Sequence, residues 1–179
     1  MDRAASLRLL RHALATLAYR ATKVLRGFPV EAVCTRASPR TRTPLELLAH
    51  LCDLMRWAEG MACGELRWEV TPLPAWDDGV ERFHASLAAL DAALAAAPAS
   101  CRPAEQIFQG PIADALTHVG QLALLRGMVG SPVRPESYAR AEIRTGQVGR
   151  DQPPPRYEFD GDASAPGPRD APNPPAPGS

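Results

Sequence analysis

The chain has 179 residues, 45% of them hydrophobic, and its 20 basic and 20 acidic side chains cancel to a net charge of zero. That length and apolar share suit one domain with a single core, and balanced charge leaves no basic excess to hold a phosphate backbone, which excludes nucleic acid as the expected partner. No apolar run approaches the roughly 20 residues that span a bilayer, and the N-terminus lacks the apolar core and cleavage site of a secretory signal, so the expected location is the cytoplasm, away from membranes.

From about Ala4 to Arg26, Leu10, Leu14, Leu17, Ala21 and Val24 recur at intervals of three and four, with arginines over much of the opposite side; this predicts the first helix. Its basic residues also have the look of an organelle-targeting peptide, but a bundle helix accounts for them and the rest of the chain compensates their charge. Gly27 and Pro29 end it, through a left-handed cap and a residue that cannot continue a helix. His12, on the polar side, reads as a solvated surface imidazole. Residues 28–42 show no sustained period and form a surface connection.

Thr43-Pro44-Leu45-Glu46 is a capping box with proline in the first helical position, and it opens a second helix that runs to about Met61. Leu47, Leu48, Leu51, Leu54, Met55 and Ala58 make its core face, and His50 sits at the edge of that face, pointing inward. An inward histidine can be a satisfied core residue or a ligand. Asp53 and Glu46 lie on the same side and could orient it. Residues 62–78 form a loop whose Trp68 and Trp76 are expected to pack over an end of the molecule. A third helix starts at Asp77 or Asp78 as cap and ends at Ala97, with Val80, Phe83, Leu87, Leu90 and Leu94 inward. His84 borders that stripe as the main competitor for a ligand position, with Asp91 as its alternative, structural partner.

Gly110-Pro111 predicts the start of a fourth helix and Gly130 its stop. Ile112, Ala115, Leu116, Val119, Leu122 and Ala123 share one face, while Leu124, Leu125, Met128 and Val129 carry apolar surface round most of the rest, the pattern of a buried helix. Asp114 and His118 lie one turn apart on it, with Gln121 a further turn on. Ionisable groups taken out of water need partners. A divalent cation satisfies a carboxylate and an imidazole together, and an Asp–His hydrogen bond near the helix N-terminus satisfies them without metal; the spacing leaves both open.

Four striped helices without sustained strand alternation predict an all-α four-helix bundle with irregular loops over residues 1–150. A short helical turn is expected near Tyr138. Residues 151–179 form a Pro/Ala/Gly-rich tail, expected to be disordered beyond about 162. Cys34, Cys52, Cys63 and Cys101 show no C-x-x-C spacing and read as free thiols in a reducing compartment.

Three stretches together resemble the DinB-like (DinB/YfiT) superfamily: Arg42-Thr43-Pro44-Leu45-Glu46-Leu47-Leu48-Ala49-His50-Leu51 with Trp57 downstream, Phe108-Gln109-Gly110-Pro111, and Asp114-Ala115-Leu116-Thr117-His118-Val119-Gly120-Gln121-Leu122. The resemblance covers roughly residues 4–150. It implies a four-helix bundle with a divalent metal on a histidine of helix two and a pair one turn apart on a later helix, which places His50, Asp114 and His118 as the metal ligands. The middle position is usually histidine in that family; carboxylates occur there in thiol-transferase relatives. Two histidines and a carboxylate suit zinc with an open position, and nickel, iron or manganese are alternatives. The implied activity is that of a metal-dependent thiol S-transferase or hydrolase, with a low-molecular-weight thiol as cofactor and a small molecule as substrate. The alternative is a non-catalytic, stress-associated bundle that binds metal or a small ligand. Tyr19 and Arg126 are candidate helpers in binding, and an exposed helix face makes a homodimer reasonable.

Overall fold

The computed structural model describes residues 2–96 and 98–159. The expectation of disorder from about residue 162 lies outside them. Five α-helical segments follow in order: α1 (Arg3–Leu25), α2 (Pro44–Cys63), α3 (Trp76–Ala96), α4 (Ala104–Ile107) and α5 (Ala113–Met128). A π turn, Phe108–Ile112, joins α4 to α5, so that the two make the fourth rod of an all-α four-helix bundle. No strand occurs among the described residues, and none of the described helices is long and apolar enough to cross a membrane.

The helices form where period and caps direct them. Thr43 Oγ1 accepts from the Glu46 N–H at 3.1 Å while Glu46 Oε2 accepts from the Thr43 N–H at 2.8 Å, closing the capping box and satisfying two otherwise orphaned donors. α1 ends at Leu25, capped by Arg26, and Gly27 follows with a φ of 63°, the left-handed conformation that glycine adopts without a Cβ clash. α3 starts one residue before its expected cap. Asp77 and Asp78 therefore lie in its first turn, where their charge still favours the positive end of the helix dipole.

The larger of two compact units comprises residues 1–133 and 142–153. Within it α1 and α2 each pack against both α3 and α5, with α2 against α3 the most extensive contact. Leu14, Leu17, Leu48, Leu51, Leu54, Met55, Phe83, Leu87, Leu90 and Leu94 are fully buried, all on the faces expected to be inward. Each such side chain contributes about 1.5–3 kcal/mol through removal from water. Across the polar margin, Arg11 donates to both carboxylate oxygens of Asp91, at 2.9 and 2.8 Å, tying α1 to α3. Asp91 is thus the partner of Arg11, not of His84.

Two expectations for the fourth rod are corrected. It begins at Ala104, before Gly110-Pro111, and Pro111 lies inside it. Proline lacks the N–H for an α-helical bond and its ring crowds the carbonyl four residues back; the wider π turn relieves both, and the Ala113 N–H reaches back five residues to the Phe108 carbonyl. Nor is α5 buried all round. Only Ala115, Val119 and Leu122 are fully inside, whereas Leu124 and Met128 are 65% and 60% exposed. Among the helices α5 packs mainly on α1 and α2, and Leu124 and Met128 lie on its exposed side.

The second unit contains residues 134–141 and, of the described chain, 154–159. Glu136 and Glu158 pair as an isolated antiparallel bridge, and the Ser137 N–H donates to the Tyr157 carbonyl at 3.0 Å. The expected turn is present as Tyr138–Arg140, with the Arg140 guanidinium 4.3 Å above the Tyr157 ring.

Candidate metal centre

The capping box sets where α2 starts, and hence on which side of the helix residue 50 emerges. His50 projects toward α5, the neighbour on that side. On α5, Asp114 and His118 stand one turn apart, and their phase is set by the π turn, whose extra residue rotates everything after it by about 100° relative to a continuous α-helix. Three side chains meet as a result. One ligand atom each from His50, Asp114 and His118 lies within 4.8 Å of the other two. Nε2 of His50 is 3.4 Å from Asp114 Oδ2, and Nε2 of His118 is 3.3 Å from Asp114 Oδ1. The two rings are edge-on, with centroids 4.8 Å apart.

These distances are compatible both with a small cation and with long hydrogen bonds to Asp114. Both are longer than the usual 2.7–3.2 Å of N–H···O contacts. A tetrahedral ion with bonds of 2.0–2.2 Å to nitrogen and oxygen has ligand–ligand edges of about 3.3–3.5 Å. His118 Nδ1 is 2.8 Å from Gln121 Oε1, a carbonyl oxygen that can only accept, so Nδ1 donates there and Nε2 is the ring nitrogen directed at Asp114. Either a proton on Nε2 or a cation between Nε2 and Oδ1 would satisfy that contact. At His50, burial first, then the charges of Arg42 and His118, push the pKa below its usual 6.5, while Asp114 pulls it up. The imidazole is therefore held in the uncharged form, the one that binds metal.

The surroundings are asymmetric. The His50 and His118 side chains are only 17% and 12% exposed, but the Asp114 side chain is 47% exposed, so one flank is open to an incoming molecule. The ring of Trp68, from the loop after α2, stands edge-on to His50 at 5.7 Å, and Trp57 stands edge-on to Trp68 at 5.7 Å. Trp68 therefore walls the site instead of covering an end of the bundle; nothing in its local sequence signalled that. Trp76 packs on Phe28, 4.6 Å between centroids.

His84, the competitor, is placed elsewhere. α3 packs on α1 and α2, diagonal to α5, and His84 Nδ1 donates to the Val80 carbonyl at 2.8 Å while Nε2 accepts from the Thr22 hydroxyl at 2.9 Å. Both ring nitrogens are used in a buried, structural role. His12 is exposed, as expected. Asp53 does not orient His50; it accepts from the Thr71 N–H, and burial raises its pKa. Glu46 is committed to the cap and to Arg36. Arg126 donates to the carbonyls of Val24, Arg26 and Ser131, which makes it a clasp between α5 and the end of α1, and Tyr19 is buried. All four cysteines are free, and burial pushes the Cys52 thiol up to about 12, which leaves it inert.

No protein-family model, curated protein or solved structure matches the chain. A helical bundle bearing a His50-Asp114-His118 group close enough to hold a metal is what the fold and the site together establish, and it is compatible with the DinB-like resemblance.

Proposed function

We propose that His50, Asp114 and His118 bind a divalent metal, zinc before nickel, iron or manganese, and that the protein is a DinB-like metal-dependent enzyme of the thiol S-transferase or hydrolase type. The observation that carries the reading is the facing of two sheltered imidazole nitrogens onto the two oxygens of one carboxylate at 3.4 and 3.3 Å. Two neutral donors and one anionic donor make a set that would suit zinc while leaving room for a further ligand. Held by His50, Asp114 and His118, zinc would supply an acidified bound water, with a pKa of about 7, or a stabilised bound thiolate.

The residues around that position have separate tasks. Gln121 holds the His118 proton on Nδ1 and so aims Nε2 at the centre. Asp114 supplies the negative charge, and its open flank admits the substrate or thiol. Trp68 and Trp57 keep water from the His50 side and help to hold that ring uncharged. The same three ligands would serve a protein that stores or senses metal without turnover. Metal analysis and thiol-conjugation assays on protein purified without an affinity tag separate these: an enzyme shows multiple turnovers, and His118→Ala loses metal and activity together. A protein that retains no divalent metal at any loading refutes both versions.

A further inference from the structure

Beside the centre, a cleft of about 470 Å³ opens between α5 and the segment that leads into α2. That volume is within the range of small-molecule sites. Its two sides differ chemically. Leu124, Leu125 and Met128 form an apolar wall along the last turns of α5, and Leu124 and Met128 are 65% and 60% exposed, with no covering element. Opposite stand Arg40 and Arg42. Of the three arginines in this segment, Arg36 is taken up by Glu46 and the Thr41 carbonyl, whereas Arg40 and Arg42 have no carboxylate partner among the described residues. His118 and Gln121 complete the lining, so the cleft runs directly to the metal-facing histidine.

We infer that this cleft is a binding subsite for an amphiphilic carboxylate, its head group on Arg40 and Arg42 and its aliphatic or aromatic body along Leu124 and Met128. Guanidinium groups stay charged at all working pH values and match a carboxylate with paired N–H donors. From Gln121 to Met128 the helix rises about 10 Å, long enough to lay a medium-length apolar chain against it. A polyanion would leave the apolar wall in water, and a neutral hydrocarbon would leave both guanidiniums without a counter-charge; a single carboxylate on an apolar body satisfies both sides. The inference rests on the proposed metal centre for its functional meaning, because it makes the carboxylate compound the substrate, but binding in the cleft does not require the metal.

The probe is octanoate, titrated calorimetrically below its micelle concentration into the full chain, metal-free and zinc-loaded, with octanamide as the uncharged control. Expected is saturable one-to-one binding that weakens about tenfold for octanamide and about tenfold or more in an Arg40→Gln/Arg42→Gln double variant. Both arginines are exposed, so the double variant keeps its fold, and its melting curve checks this. His50→Ala, which removes a proposed metal ligand that does not line the cleft, retains octanoate binding. Octanoate binding by a protein that takes up no metal would refute the metal centre and leave the subsite standing. Non-saturable binding, equal binding of octanamide, or indifference to the double substitution would overturn the subsite whatever the metal content.

Discussion

Metal loading gives the most direct test of the centre, because its magnitude follows from linkage and its location from three residues. A ligand that binds only the folded state stabilises it by about 2.7 kcal/mol when present at a hundred times its dissociation constant. For a domain of this size each kcal/mol moves the melting temperature by roughly 2–4 °C, so zinc at that excess raises it by roughly 5–11 °C over the chelated protein. The three side chains lie at the margin of the hydrophobic core, not within it. His50→Ala, Asp114→Asn and His118→Ala should therefore fold, and in chelator melt within about 1 kcal/mol of the parent. In zinc each should lose most of the upward shift, while His84→Gln and His12→Ala should keep it. Circular dichroism melts of tag-free protein, with metal affinity measured separately by competition with a chromophoric chelator, supply both quantities. Superimposable melts of the parent protein in chelator and in metal would show that Asp114 and His118 are a structural pair and that no ion belongs between them.

The hydrogen bond from His118 to Gln121 predicts that Gln121→Leu lowers metal affinity by about 10–100-fold while the fold persists, read by the same chelator competition; an unchanged affinity would mean that the tautomer is not set there. Burial lowers the pKa of His84 in the folded state, against a smaller raising effect of the Val80 carbonyl, so between the folded value and the usual 6.5 the unfolded chain binds the extra proton. The stability this contributes is complete above about pH 6.5 and falls as the pH drops toward the folded-state value, by at most about 1.4 kcal/mol per pH unit for one proton. Urea unfolding of chelated protein should show this acid slope and His84→Gln should flatten it; an unaltered slope would place the proton elsewhere. Thr43→Ala removes half of the capping box and should cost about 1 kcal/mol in the same unfolding assay, with a loss below a few tenths indicating that Pro44 and Glu46 hold the helix start without it.

Much of the molecule is set by local pattern. The three-and-four spacing of Leu14 and Leu17, of Leu47, Leu48, Leu51, Leu54 and Met55, and of Phe83, Leu87, Leu90 and Leu94 determines three helices and their inward faces, because a 3.6-residue turn leaves no other way to bury them together. The capping box is wholly contained in four consecutive residues, and the one-turn relation of Asp114 to His118 follows from helix geometry alone. What lies beyond local pattern depends on which helix neighbours which. His50 and His84 look alike in sequence, each an inward histidine at the border of an apolar stripe. Only packing separates them: α2 touches α5 and brings His50 to Asp114 and His118, while α3 sits diagonal to α5 and leaves His84 to Thr22 and Val80. The π turn carries the same lesson, since Gly110-Pro111 resembles a helix start and becomes an interior turn only where the wider ring accommodates proline and sets the phase of Asp114 and His118. Helix existence and facing are thus properties of the chain's short-range geometry, and the convergence of the three ligands is a property of the tertiary arrangement, because no local rule relates the phase of α2 to that of a helix some fifty residues later.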